Sequence, residues 1–121
     1  MSVTPETLKK RTFEFALNTL RTIEDLKRTT ANEIMGKQVM RSATSVGANC
    51  KTARKAKSSA DFISKLKIVE EESGESVYWL ELIKAYNKIE NKNFDVLLSE
   101  SKELERTFAA SAITGKNNNK R

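Results

Sequence analysis

IMGKQVMRSATSVGANCKTARKAKSSA, residues 34–60, contains no acidic residue. It does contain Lys37, Arg41, Lys51, Arg54, Lys55 and Lys57, laid over a helical pattern. At about 100° per residue, Met35, Val39, Ala43, Val46, Cys50 and Ala53 fall on one side and form an apolar seam. Lys37, Arg41, Lys51 and Lys55 fall within roughly 80° of one another on the opposite side, with Thr44 and Ala48 between them. A helix that buries the seam therefore presents a basic ridge outward. Such a ridge is either a solvated helix face or a row of phosphate contacts, and Arg54 and Lys57 lie off it.

Helical pattern extends over nearly all of the chain. The sole proline, Pro5, stands where it begins a first helix without breaking one. That helix spans about residues 6–28, with Phe13, Ala16, Leu17, Leu20 and Ile23 on one face and Phe15 and Leu26 on another. Thr30 followed by Glu33 reads as a capping box, which starts the second helix near Ala31 and runs it to about Lys57. Ser58 or Ser59 caps the third helix, with Asp61 in its first turn. A turn at residues 91–93 leads into the fourth, whose Phe94, Leu97, Leu98, Ser101, Leu104, Phe108 and Ala112 share one arc. Residues 115–121, rich in Lys and Asn, read as a disordered basic tail after a single domain at residues 1–114. Short connections between long helices make antiparallel neighbours, so the expected fold is all-α, an up-down-up-down four-helix bundle.

Two features of the helices point beyond a plain bundle. Gly36 and Gly47 share a flank of the second helix beside its seam, which implies close approach by a neighbouring backbone or a bend at one of them. The third helix has one core face of Phe62, Leu66, Val69, Ser73, Val77, Leu80 and Ile83. Its far side holds Ile68, Tyr78, Trp79, Leu82, Tyr86 and Ile89, with Glu72 and Glu75 among them. A bundle of this size has no second core for that side, so it reads as an oligomer interface unless neighbouring helices wrap round to cover it. Ser45 and Asn49, one turn apart near the rim of the seam, are expected to form structural hydrogen bonds between helices.

Composition narrows the chemistry. The chain has 121 residues and a formal charge of +6, enough for one domain with a real core and favourable to nucleic acid, an acidic protein or an anionic membrane surface. It has no histidine and one cysteine. The commonest general base, the Ser-His-Asp and Cys-His arrangements and a Cys-His zinc site are therefore absent, and Cys50, on the seam, reads as a small buried hydrophobe. Glu70, Glu71, Glu72 and Glu75 read as a solvated face, with no metal or cofactor expected. No apolar run approaches the roughly 20 residues of a membrane span, and no signal-peptide core is present. A soluble, cytoplasmic protein with no small-molecule substrate is the expectation.

The stretches QVMRSATSVGAN (38–49), KSSADFISKL (57–66) and ESVYWLELI (75–83) resemble the 23S rRNA intervening-sequence proteins over about residues 8–112. The most specific part is the R-S-x-x-S-x-G-A-N core of Arg41, Ser42, Ser45, Gly47, Ala48 and Asn49, together with Asp61, Phe62, Tyr78, Trp79 and Leu80. Members of that family commonly carry an Ile and then an acidic residue shortly after the Asn. This chain has Cys50 and no acid there, which strengthens the basic ridge. The resemblance implies a bacterial four-helix bundle that assembles into a ring, typically a homopentamer, without enzymatic activity. By fold-level analogy it is also similar to the basic accessory protein of diversity-generating retroelements, which partners a reverse transcriptase and nucleic acid.

The functional expectation is a non-enzymatic oligomer that binds RNA or another nucleic acid through Lys37, Arg41, Lys51, Arg54, Lys55 and Lys57. Its self-contacts would use Ile68, Glu72, Glu75, Tyr78, Trp79, Leu82 and Tyr86. The alternative is a protein-interaction scaffold or accessory subunit whose ridge receives an acidic partner, or an acidic face of its own neighbour such as Glu72 and Glu75.

Overall fold

Four helices follow one another: α1 (Pro5–Glu24), α2 (Thr30–Ala53), α3 (Ser59–Asn87) and α4 (Lys92–Asn119). The structure, a computed structural model, describes residues 4–119, with side chains through residue 111. Of the tail expected to be disordered, residues 115–119 continue α4, and Lys120 and Arg121 lie outside the described residues.

Local chemistry sets the helix ends. Pro5 occupies the first turn of α1, and the hydroxyls of Thr4 and Thr7 close a reciprocal capping box before it. α2 is capped by Thr29 rather than by Thr30: Thr29 is extended, and its Oγ1 accepts from the Asn32 N–H at 3.1 Å. That extended residue ends α1 at Glu24, four residues short of the expected limit, because the chain must leave the helix to present the cap. The same logic ends α2 at Ala53 instead of Lys57, since Ser58 is extended to accept from the Asp61 N–H and cap α3. Asn91 Oδ1 accepts from the N–H groups of Asn93 and Phe94 at the start of α4.

Consecutive helices are antiparallel neighbours, and α1 against α4 closes the square with the loosest packing. Two polar pairs fix α2 on α3. Ser42 Oγ and Ser76 Oγ share a hydrogen bond of 2.7 Å, and Asn32 and Asn87 exchange amide hydrogen bonds of 3.0 and 2.8 Å. All six residues of the α2 seam are buried, and all but Ala53 join one cluster with Phe15, Leu66, Val69, Leu80, Ile83, Phe94, Leu97, Leu104 and Phe108.

α1 departs from its sequence reading. Its buried stripe is Thr12, Phe15, Thr19 and Ile23, while Phe13 is 67% exposed. The threonines satisfy themselves, Thr19 Oγ1 donating to the Phe15 carbonyl at 2.7 Å and Thr12 Oγ1 to that of Lys9 at 3.1 Å, so their methyl groups pack like those of valine. On α3, Phe62 sits near the helix start and is exposed, and Ser76 is buried in contact with Ser42.

The glycines of α2 mark close approach, and the helix is unbroken. A Cβ on Gly36 would lie 2.8 Å from Ile23 Cγ2, and one on Gly47 would lie 3.3 Å from the Thr12 carbonyl oxygen. Gly74 differs, because its added Cβ meets only the carboxylate end of Glu105 at 2.5 Å, a flexible group that rotates aside. Gly74→Ala is therefore expected to stabilise the protein by about 0.5–1 kcal/mol through helix propensity and loss of unfolded-chain freedom. A higher urea midpoint at unchanged slope is the check.

Candidate nucleic-acid interface

Burial of the α2 seam turns the opposite side of the helix to solvent. Lys37, Lys51, Lys55 and Lys57 are all exposed, and among the described residues none of them is in an ion pair. Lys37 and Lys51 stand on α2 itself. Lys55 continues the same direction because its N–H still bonds to the Thr52 carbonyl at 3.0 Å, whereas Lys57 lies in the connection to α3.

The two arginines are engaged within the chain. Arg54 reaches back to Glu6 of α1. Arg41 leans toward α3, where Nη1 meets Glu72 Oε2 at 2.8 Å and Nη2 meets Glu75 Oε1 at 2.6 Å. A guanidinium fork suits two carboxylates one turn apart, and the pairing holds the Glu75 carboxyl below the usual carboxylate range. The acidic face that could have received the ridge from a neighbouring copy is thus occupied by Arg41 of the same chain.

Around this ion triad lies the far side of α3. Ile68, Tyr78, Leu82 and Tyr86 are 38%, 56%, 37% and 58% exposed, so neighbouring helices do not wrap round to cover them. Trp79 is half-buried against the core and edge-on to Tyr78, with ring centroids 5.0 Å apart. Its Nε1 is buried and has no hydrogen-bond partner among the described residues. Ile34, 58% exposed, lies two turns before Arg41 on the same side of α2. An isolated Ile outside the seam carries no periodic signal, which is why sequence reasoning passes over it.

Other positions offer less chemistry. Burial pushes the Cys50 thiol up, away from nucleophilic behaviour. No three His, Cys, Asp or Glu side chains converge among the described residues. An open groove of about 1100 Å³ between α1 and α4 is lined by charges of both signs, and Arg11 and Glu100 pair across it at 2.7 Å. No helix of the described residues is long and apolar enough to cross a membrane.

The same bundle occurs in known proteins. The family model for 23S rRNA-intervening sequence proteins matches residues 7–110. The chain belongs to that family. A crystal structure of a protein of unknown function from the S23 ribosomal protein family of Bacteroides thetaiotaomicron VPI-5482 superposes with a TM-score of 0.80. It is 32% identical in sequence, over 89% of this chain and 96% of that one. A search of curated proteins finds no match.

In this intervening-sequence protein the R-S-x-x-S-x-G-A-N stretch is largely a packing code. Arg41 clamps α3, Ser42 bonds Ser76, and Gly47 admits the α1 backbone. Ser45 and Asn49 do not bridge helices as expected. Asn49 Nδ2 donates to the Ser45 carbonyl and to Ser45 Oγ, both at 2.9 Å, because a residue one turn back lies closer to a short amide than a neighbouring helix does. The bridging role falls instead to Ser42 with Ser76 and Asn32 with Asn87.

Proposed function

We propose that this protein is a non-enzymatic, self-assembling helical bundle that binds nucleic-acid phosphates through Lys37, Lys51, Lys55 and Lys57. The observation that carries this reading is the division of its cations. Among the six basic residues of residues 34–60, Arg41 and Arg54 are paired with carboxylates of the same chain, and the four lysines are exposed without any. Phosphate contacts of this kind position a backbone without reading bases. Self-assembly, which the exposed stripe of α3 supports, repeats the row and makes weak contacts multivalent. A ring of five and a cytoplasmic setting are carried over from the family resemblance and the sequence. Absence of histidine and the engagement of Glu72 and Glu75 by Arg41 support the non-enzymatic reading.

Fluorescence anisotropy with a labelled RNA tests the row. Replacing all four lysines by Gln is expected to leave the fold intact and to lower affinity uniformly across sequences. The slope of log affinity against log salt should shrink by about 0.7–0.9 for each phosphate no longer neutralised. Arg41→Gln should leave that slope unchanged. A fourfold Gln variant with wild-type affinity and slope would show the row to be only a solvated face.

A further inference from the structure

Phe13 is the largest departure of this structure from its sequence. α1 buries Thr12, Phe15, Thr19 and Ile23 and leaves Phe13 67% exposed on a flank it shares with Lys9 and Lys10, one turn earlier. That flank adjoins α2. Gly47 of α2 packs against the backbone of Thr12 and against Ala16, and Arg54 reaches Glu6 across the same seam. The N-terminal half of α1 and the C-terminal half of α2 therefore present one surface, with Lys51 one turn beyond Gly47 and Lys55 one turn further. Lys9, Lys10, Lys51 and Lys55 are exposed and in no ion pair among the described residues. Glu6 on this flank is already held by Arg54, and Glu14, one turn after Lys10, lines the groove between α1 and α4.

An accessible aromatic face among unpaired ammonium groups matches the two parts of an unpaired nucleotide, a base with an exposed π-face and a phosphate beside it. A duplex keeps its bases stacked on one another and offers phosphates alone. A second copy laid on Phe13 would have to desolvate Lys9 and Lys10 together with it. We propose that Phe13 is a base-stacking platform for single-stranded nucleic acid, with Lys9, Lys10, Lys51 and Lys55 holding the flanking phosphates. This rests on the phosphate-binding reading of Lys51 and Lys55 given above.

The test uses the full chain, a labelled oligo(dT) of about 15 nucleotides and a hairpin duplex of matched length. Phe13→Ala is expected to weaken oligo(dT) binding about tenfold, with duplex affinity and salt slope unchanged. Phe13→Tyr should stay near wild type. Lys51→Gln with Lys55→Gln should weaken both ligands and reduce the single-strand slope by about 0.7 per phosphate released. The stacking proposal is overturned if Phe13→Ala leaves oligo(dT) affinity within about twofold or lowers both ligands together. It is also overturned if Phe13→Ala dissociates the assembly in light scattering, which would make the flank a contact between copies. If instead the lysine pair changes neither ligand, the phosphate reading falls with it; a silent Phe13 beside responsive lysines removes stacking alone.

Discussion

Replacing Phe15 with alanine is expected to lower the unfolding free energy by about 3–5 kcal/mol, whereas the same truncation of Phe13 should change it by no more than about 0.5 kcal/mol. The two rings are two residues apart on one helix, so helix propensity and unfolded-state effects nearly cancel in the comparison. What differs is burial, 1% exposed against 67%. Phe15 belongs to the cluster that joins Val39, Val46, Leu104 and Phe108 from α2 and α4, and its removal leaves a cavity that close-packed neighbours fill only in part. Domains are stable by about 5–15 kcal/mol in total, so Phe15→Ala should sit near the edge of folding. Urea titrations read at unchanged slope provide the measurement. A larger loss at Phe13 would mean that α1 is rotated about its axis and that the Thr12–Thr19 stripe faces water.

This contrast shows where the sequence is informative. α2 is legible because apolar and basic residues divide cleanly at helical period, and every seam position it implies is buried. Gly36 and Gly47 are legible for a related reason, since two glycines on one flank of an otherwise good helix imply a close neighbour. α1 misleads because two of its four buried positions are threonines that bond to their own backbone. An apolar count assigns them to the surface and promotes Phe13 in their place.

The candidate site was half legible. A helical projection locates Cβ directions, and on that basis Arg41 shares an arc with Lys37, Lys51 and Lys55. A guanidinium at the end of a long side chain is free to swing off that arc, and Glu72 with Glu75 on α3 draws it away. The projection also has no way to show that Arg54 meets Glu6, because that pairing depends on the register of α1 on α2. The lysines remain on the exposed face because no carboxylate of the described residues pairs with them.

On the self-assembly proposed above, the Leu82→Ala, Tyr86→Ala double variant is expected to release folded monomers at concentrations where the wild type would assemble. Both side chains are substantially exposed, 37% and 58%, so their truncation should change monomer stability by only about 0.5 kcal/mol each. As anchors of an interface each should contribute about 2 kcal/mol, which together raises the dissociation constant about a thousandfold. Trp79 is the less discriminating probe, because it packs against the core and its loss would unfold the chain as well as separate copies. The patch is suited to burial in another respect. Arg41, Glu72 and Glu75 already neutralise one another in part within it, which lowers the cost of desolvating them. Light scattering gives the mass and far-ultraviolet circular dichroism gives the helix content. A wild type that runs as a folded monomer at micromolar concentration, or a double variant that assembles like it, would mean that this stripe of α3 is simply solvated surface.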